Sequence, residues 1–315
     1  MGYERVRPSG GGLRAGASLA EVVQAIGLSL QDEGIDAPQF EARRLLWVAI
    51  GMRAETLLAR PETVITELQI ERLRSILERR LAREPLGRIE GKREFYGRVF
   101  GLSDQTLEPR PDSETLIEAT LEVIAMQGLA VGGRWQGRAD EPLRVLDVGT
   151  GSGCLLITLL AELPNAVGLG TDISHEALVT AAANAERHGV SDRVEWRRTP
   201  GLEGIAQNFD VLVSNPPYIP TGEISDLAPE VCLHDPLAAL DGGDDGLMVY
   251  RQIASRTGDV APDGVVILEV AAGDEKRVTQ VFRDGVGTLR IENIGCWQDL
   301  GGHVRCVAMK TLCLV

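Results

Sequence analysis

The sequence has no C-x-x-C pair; its five cysteines, Cys154, Cys232, Cys296, Cys306 and Cys313, are scattered. That argues against a disulfide framework or a thiolate zinc site, and the thiols are expected to be buried and reduced. The four histidines, His175, His188, His234 and His303, lack metal-ligand spacing, so no metal is expected. No apolar run reaches the length of a membrane span. The opening "MGYERVRPSGGGLRAG" lacks the apolar core of a signal peptide. It reads as a flexible tail over residues 1–17, in a cytoplasmic chain with no membrane partner. Basic residues are also short where a polyanion binder needs them. Residues 1–105 carry 16 basic and 15 acidic side chains, whereas residues 106–315 carry 16 and 31. Phosphate contacts need Lys and Arg, so no direct nucleic-acid partner is expected. Repeats with periods of 20–50 residues are absent.

What is present is a globular composition, 44% hydrophobic and 25% charged over 315 residues, enough for one large domain or two ordinary ones. Three helical stretches precede residue 85. "SLAEVVQAIGLSL" opens with Ser18 and has Glu21 three residues later, a capping box. "PQFEARRLLWVAIG" spaces Phe40, Leu45, Leu46 and Val48 among charges at helical period. "TELQIERLRSILERRLARE" opens with Thr66 and Gln69, and its Leu73, Ile76, Leu77 and Leu81 form one core stripe. These predict a small helical domain over 18–84. The glycine-punctuated "EPLGRIEGKREFYGRVFGLS" predicts a β-hairpin linker over 85–106, and a catalytic domain follows over 107–315. Within it, a helix is expected from Pro111-Asp112-Ser113-Glu114 to about Met126, then a Gly-rich loop over 127–141.

From residue 143 strands and helices alternate: "LRVLDVG", "GCLLITLLAEL", "AVGLGTD", "SHEALVTAAANAERHG", "RVEWR", "FDVLVSN", "GLMVYRQIASRTGDV", "GVVILEV" and "DEKRVTQVFRD". "LRIENI" and "HVRCVAM" close without a clear helix between them. This order predicts an α/β fold, a doubly wound, mostly parallel seven-stranded sheet with an antiparallel edge pair.

Two turns in that sheet carry chemistry. In "VLDVGTGSGC" a strand ends at Asp147-Val148 and a helix begins after Gly149-Thr150-Gly151-Ser152-Gly153. Glycines there bring backbone N–H groups close to a ligand. Asp172, at the end of the next strand, is placed to accept hydrogen bonds from ribose hydroxyls. A dinucleotide site would want G-x-G-x-x-G, and an acid two residues before the first glycine repels a pyrophosphate. The pattern suits the cation S-adenosylmethionine (SAM), with Asp147 facing its amino group or its nearby polar edge. The second turn is "VLVSNPPYIP". Asn215 falls at the carboxyl end of the fourth strand, facing the same crevice as the glycines. A planar –NH₂ is a poor nucleophile. The Asn215 side-chain oxygen and the Pro216 carbonyl would grip its two N–H bonds and stabilise positive charge as it develops. Pro216 and Pro217 stiffen the turn, and Tyr218 would lie against the flat face of the acceptor.

The chain resembles the class I SAM-dependent methyltransferases. More narrowly, it resembles the protein-(glutamine-N5) methyltransferases of peptide chain release factors (the PrmC/HemK family). The resemblance runs from about residue 20 to the end through "REPLGRIEGKREFYG", "LEPRPDSE", "VLDVGTGSG", "TDIS", "VSNPPYIP" and "DLGGHVRCV". It implies a Rossmann-like catalytic domain that methylates the glutamine of a Gly-Gly-Gln loop in class 1 release factors. By resemblance Asn215 and Pro216, with Pro217 and Tyr218, hold the glutamine amide. Gly149, Thr150, Gly151, Ser152, Gly153 and Asp172, with Asn215, hold SAM. Arg110, Asp112 and Glu114 order the site, and the helical domain docks the factor. The chain departs from the family at Thr199-Pro200, where an acid and an apolar residue usually border the adenine. The acidic "DGGDDG" string at 241–246 reads as a solvated loop. The readings left open are a ribosomal-protein glutamine or an adenine amine as acceptor, and a non-catalytic SAM- or factor-binding module.

Overall fold

The computed structural model describes residues 13–51, 59–128, 130–131, 134–135, 141–287 and 289–313. They form two compact units that divide between Glu90 and Gly91. The first 12 residues of the expected tail, and most of the Gly-rich loop at 127–141, lie outside the described residues.

The first unit is helical: α1 (Leu19–Asp32), α2 (Pro38–Ile50), α3 (Glu67–Leu81) and the single-turn α4 (Leu86–Glu90). Both predicted capping boxes form. Ser18 N–H donates to Glu21 Oε2 at 2.8 Å, and Thr66 N–H donates to Gln69 Oε1 at 2.9 Å. Each cap is worth about 1 kcal/mol, because it satisfies helix-end donors that would otherwise lose water unpaired. Val22, Ile26 and Leu30 of α1 meet Leu45 and Leu46 of α2 and Ile70, Leu73 and Leu77 of α3 in one buried cluster. Leu13 and Ala17 are buried in the same cluster, so the packed chain begins ahead of the first helix. Phe40 stays exposed.

The second unit opens with the hairpin β1 (Lys92–Phe95) and β2 (Arg98–Gly101), where the "EFYG" string predicts one. Its two turn residues, Tyr96 and Gly97, both have positive φ, 50° and 69°, as the right-handed twist of a two-residue hairpin requires. A 3₁₀ turn at Pro111–Ser113 leads into α5 (Glu114–Met126). Next come β3 (Arg144–Val148), α6 (Cys154–Glu162), β4 (Val167–Asp172), α7 (His175–Arg187) and β5 (Val194–Arg198). The remainder is β6 (Val211–Ser214), α8 (Met248–Val260), β7 (Val265–Glu269), α9 (Glu275–Gly285), β8 (Leu289–Gln298) and β9 (Val304–Cys313).

The seven main strands form one sheet in the order β8-β9-β7-β6-β3-β4-β5. Pairs within β7-β6-β3-β4-β5 are parallel, while β9 is antiparallel to both β7 and β8. The antiparallel pair is therefore at the edge, as expected, but the reversed strand is the inner member. Chain order alone does not reveal this, because the last strand inserts between two earlier ones. Alternate residues of each central strand enter opposite cores. Val145, Val211, Val213, Val265 and Ile267 face α5 and α6, whereas Leu146, Leu212, Val266 and Leu268 face α8 and α9. Burial on both faces explains the unbroken apolar runs.

The five cysteines are unpaired, but only Cys306 is buried. Cys296 and Cys313 are exposed, since the outer β8-β9 ladder leaves one face open, which corrects the expectation of buried thiols.

One buried side chain ties the hairpin to the sheet. Asn184 on α7 accepts from Gly101 N–H at 2.7 Å and donates to Gly101 C=O at 3.0 Å and to Ser152 C=O at 2.8 Å. Asn184→Ala leaves these backbone groups buried and unpaired, and should cost about 1–3 kcal/mol in urea unfolding. A change below about 0.5 kcal/mol would show that the staple is not energetically used.

Candidate active site

The switch point of the sheet lies where β4 and β6 leave β3 on opposite sides, and a crevice opens beyond the carboxyl ends of these strands. A cavity of about 650 Å³ occupies it. Val148, Gly149, Thr150, Gly151, Ser152, Asp172, Thr199 and Pro200 line one part; Arg110, Ser113, Ser214, Asn215, Pro216 and Pro217 line another. Leu237, Asp241 and Met248 also line it. The glycine turn and the Asn-Pro-Pro turn thus open onto one space.

The glycine turn is held from below. Gly149 N–H and Thr150 N–H both donate to Thr171 C=O, at 2.9 and 2.8 Å. Asp172 accepts from Gly151 N–H and from Ser174 N–H, both at 2.9 Å. Burial raises the Asp172 carboxyl above its ordinary value, against the pull of these backbone donors. Gly149 and Gly151 have φ of 73° and 54°, a region that disfavours side chains, so the turn itself demands them.

Two residues expected to face the ligand do not line the cavity: Gly153 and Tyr218. A Cβ on Gly153 would sit 2.8 Å from Ile157 Cδ1 and 3.1 Å from Ala181 Cβ, so this glycine lets α6 pack closely. Tyr218 is half-buried against the core beside α8, and its hydroxyl is pushed up to about 12, mainly by burial. Asp147 is also corrected. It is fully buried behind the turn, where it accepts from Thr150 Oγ1 at 2.6 Å, and it is not part of the cavity wall.

Asn215 is fixed by its nitrogen, since Nδ2 donates to Ser113 Oγ at 3.1 Å. Ser214 Oγ donates to Val148 C=O at 2.6 Å and clamps the ends of β6 and β3 together. The "PRPDSE" string surrounds this contact. Arg110 pairs with Asp235, whose side chain is fully buried, at 2.5 Å, and Asp112 pairs with Arg305 at 3.2 Å. Glu114 accepts from Tyr96 N–H at 2.7 Å. The Arg110 pair is therefore not a surface ion pair, and its partner Asp235 carries no local sequence signal. Ser113 does stand in the string, but its hydroxyl gains meaning only beside Asn215.

The "DGGDDG" string is not a detached loop. Gly242 N–H donates to Ile219 C=O at 2.8 Å, Thr221 N–H donates to Gly243 C=O at 3.0 Å, and Asp241 lines the cavity. Thr199 also lines it, with its hydroxyl donating to Glu203 C=O at 2.9 Å. Its oxygen lone pairs remain available as acceptors. Among the described residues, no cluster of three or more His, Cys, Asp or Glu could hold a metal ion, and no helix is long and apolar enough to cross a membrane.

Comparison with known proteins decides the family. Residues 21–91 match the PrmC N-terminal domain, and residues 138–254 match the methyltransferase small domain. A release factor glutamine methyltransferase of Bradyrhizobium diazoefficiens is 39% identical over 84% of this chain and 86% of its own length. That of Agrobacterium fabrum is 38% identical over 96% and 99%. The chain belongs to the release factor glutamine methyltransferase family. It is a SAM-dependent methyltransferase. The hMettl16 catalytic domain in complex with the MAT2A 3′UTR hairpin 1 shares the fold, at a TM-score of 0.50 and 14% identity over 80% of this chain and 86% of that one. The lining of the methyltransferase's cavity fits SAM in kind, offering glycine backbone, the carboxylates of Asp172 and Asp241, and a size suited to a nucleoside.

Burial pushes the Asp147 carboxyl from 3.8 up to about 7. In the window between those values the folded methyltransferase holds a proton that the unfolded chain has released. The contribution of Asp147 to stability is therefore full below that window and lost as pH rises through it. Urea unfolding from about pH 4 to about pH 8 should show the wild type losing stability relative to Asp147→Asn, then levelling. A difference independent of pH would refute the raised value.

Proposed function

We propose that this methyltransferase transfers the methyl group of SAM to the side-chain amide nitrogen (N5) of the glutamine in the Gly-Gly-Gln motif of class 1 peptide chain release factors. The observation that carries the reading is the Asn215 carboxamide. Its nitrogen is committed to Ser113, so its oxygen is left to accept at the cavity. Gly149, Thr150, Gly151, Ser152 and Asp172 are the proposed SAM contacts, and Pro216 and Pro217 shape the acceptor side. Two residues from the same family pattern, Gly153 and Tyr218, act from behind this wall.

Bound SAM supplies an electrophilic methyl on a sulfonium centre, whose sulfur keeps the electron pair of the bond that breaks. What the chain supplies is aim. The Asn215 oxygen and the Pro216 carbonyl take the two N–H bonds of the glutamine amide and hold its nitrogen toward the methyl. As positive charge builds on that nitrogen, its N–H bonds become stronger donors. Both acceptors then bind the transition state more tightly than the ground state, and the methylated nitrogen releases one of its two protons to solvent. Pro216 and Pro217 keep the two oxygens from relaxing away.

A protein acceptor also agrees with charge. From Asn215 to Gly246, the segment beside the acceptor carries seven acids, Glu223, Asp226, Glu230, Asp235, Asp241, Asp244 and Asp245, and no Lys or Arg. All but the buried Asp235 reach solvent, and such a surface repels a phosphate backbone. The helical unit is proposed to dock the factor, consistent with the PrmC N-terminal match at 21–91.

The test is methyl transfer from labelled SAM to a class 1 release factor, with mass-spectrometric mapping of the modified side chain. Label should appear on the Gly-Gly-Gln glutamine and vanish when that glutamine is alanine. Equal labelling of the two factors would sink the reading. Asn215→Ala should lower turnover on the order of 10²–10³-fold, the usual cost of one preorganised polar contact. Turnover near that of the wild type would remove the amide clamp.

A further inference from the structure

Glu269 is a buried acid with no part in the chemistry above. It ends β7, which lies beside β6, and Leu268 pairs with Ser214, the residue before Asn215. Glu269 is 3% exposed, and its Oε2 has no hydrogen-bond partner among the described residues. The Tyr250 hydroxyl reaches Glu269, but it donates to the backbone carbonyl, at 2.7 Å, and not to the carboxyl. The Ser113 and Asn215 side chains both act on that carboxyl, each favouring its charged form against burial. These same two residues share the 3.1 Å contact at the cavity wall. A bare acid is costly in such a place unless something uses it.

We infer that Glu269 is a positioning residue: through the Ser113 hydroxyl and the Asn215 side-chain nitrogen, its carboxyl fixes which end of the Asn215 carboxamide faces the cavity. The inference rests on the glutamine-amide reading of the site. An ionised carboxylate can only accept. Ser113 gives its proton to Glu269, so its oxygen must accept from Asn215 Nδ2. Every donor then points toward the acid, and Asn215 Oδ1 points at the substrate. A protonated acid donates instead. Ser113 is then free to donate to Asn215 Oδ1, the carboxamide turns over, and its NH₂ meets the NH₂ of the substrate.

The proton that decides between the two arrangements moves near neutrality. Burial pushes the Glu269 carboxyl up to about 7, opposed by Ser113, Arg305 and Asn215 and assisted by Asp112. Other groups also face it: Tyr218 after β6, Tyr250 on α8, Cys154 on α6 and Cys306 on β9. Tyr218 and Cys154 are pushed up to about 12, and Tyr250 and Cys306 lie well above their ordinary values, so none of them titrates near neutral pH. Asp147 also titrates at about 7, but behind the glycine turn.

The experiment has two arms. In protein labelled with ¹⁵N-asparagine and free of substrate, the Asn215 side-chain amide signals are assigned by their loss in Asn215→Ala. They should titrate with a midpoint near 7 in the wild type and in Asp147→Asn, and not in Glu269→Gln. In the kinetic arm, Glu269→Gln should lower kcat about 10- to 100-fold, while the calorimetric Kd for SAM stays within about two-fold. Wild-type kcat should fall as pH drops through about 7, and the Glu269→Gln profile should be flat there. Glu269→Asp, which keeps the charge, should restore the slope. Unchanged titration of the Asn215 signals in Glu269→Gln, or an unchanged kcat profile, would overturn the inference. A wild type that labels no glutamine would overturn the substrate reading alone, because the amide titration is measured without substrate.

Discussion

The hydrogen bond from Asn215 Nδ2 to Ser113 Oγ, 3.1 Å long, is the contact on which the site depends. A carboxamide offers two chemically opposite ends of nearly the same shape, and only one of them can receive a substrate N–H. An Asn at a strand end would present either. Occupying its nitrogen within the protein leaves the oxygen for the cavity. The contact spans 102 positions of chain, so it exists only once the sheet and α5 have come together. Folding and aiming are therefore one event.

Ser113 can reach Asn215 because its neighbours in sequence are each held at a different place. Arg110 is tied to buried Asp235, Asp112 to Arg305 on β9, and Glu114 to the backbone of the hairpin at Tyr96. A 3₁₀ turn that begins at Pro111 has little freedom to slide between those anchors. On the opposite wall Asn184 plays a similar part, joining Gly101 of the hairpin to Ser152 of the glycine turn. The hairpin thus contributes no side chain to the cavity wall, yet is bonded to the elements on both sides of it. A short, glycine-rich β-ribbon of this kind would be marginal alone. Its own Phe95 and Phe100 are buried in the core, which makes it a strut.

Features set by near neighbours were legible in the sequence. Ser18 with Glu21 and Thr66 with Gln69 announce helix starts, and both boxes form as read. Alternating βα order gives the parallel sheet, and the two turns at the strand ends mark its switch point. The direction a side chain takes after a turn was not legible. Gly153 and Tyr218 belong to the right strings, but one serves helix packing and the other the core. Nor could the sequence show that "DGGDDG" hydrogen-bonds to the chain after Tyr218, since that bridge joins Ile219 and Asp241 across a long connection. The position of β9 inside the sheet is hidden for the same reason. Each of these is decided by pairings between distant residues, about which local composition says nothing.

The site also costs the fold something, which argues that its residues are kept for use. Asp147 and Glu269 are both buried acids raised to about 7. Each has an oxygen without a partner among the described residues. Apolar or amide side chains of similar volume would relieve that desolvation. Both acids stand one layer behind a cavity-lining group: Asp147 behind Thr150 and the glycine turn, and Glu269 behind Ser113 and Asn215. An acid in that layer does not touch ligand, but it decides the direction of every hydroxyl or amide in front of it. For Thr150, donating to Asp147 leaves the threonine oxygen an acceptor toward the cavity. For Asn215, donating to Ser113 leaves its own oxygen free in the same way. Both walls of the crevice are thereby turned toward acceptance, which suits, on the proposed reading, a sulfonium cation on one side and an NH₂ gaining positive charge on the other.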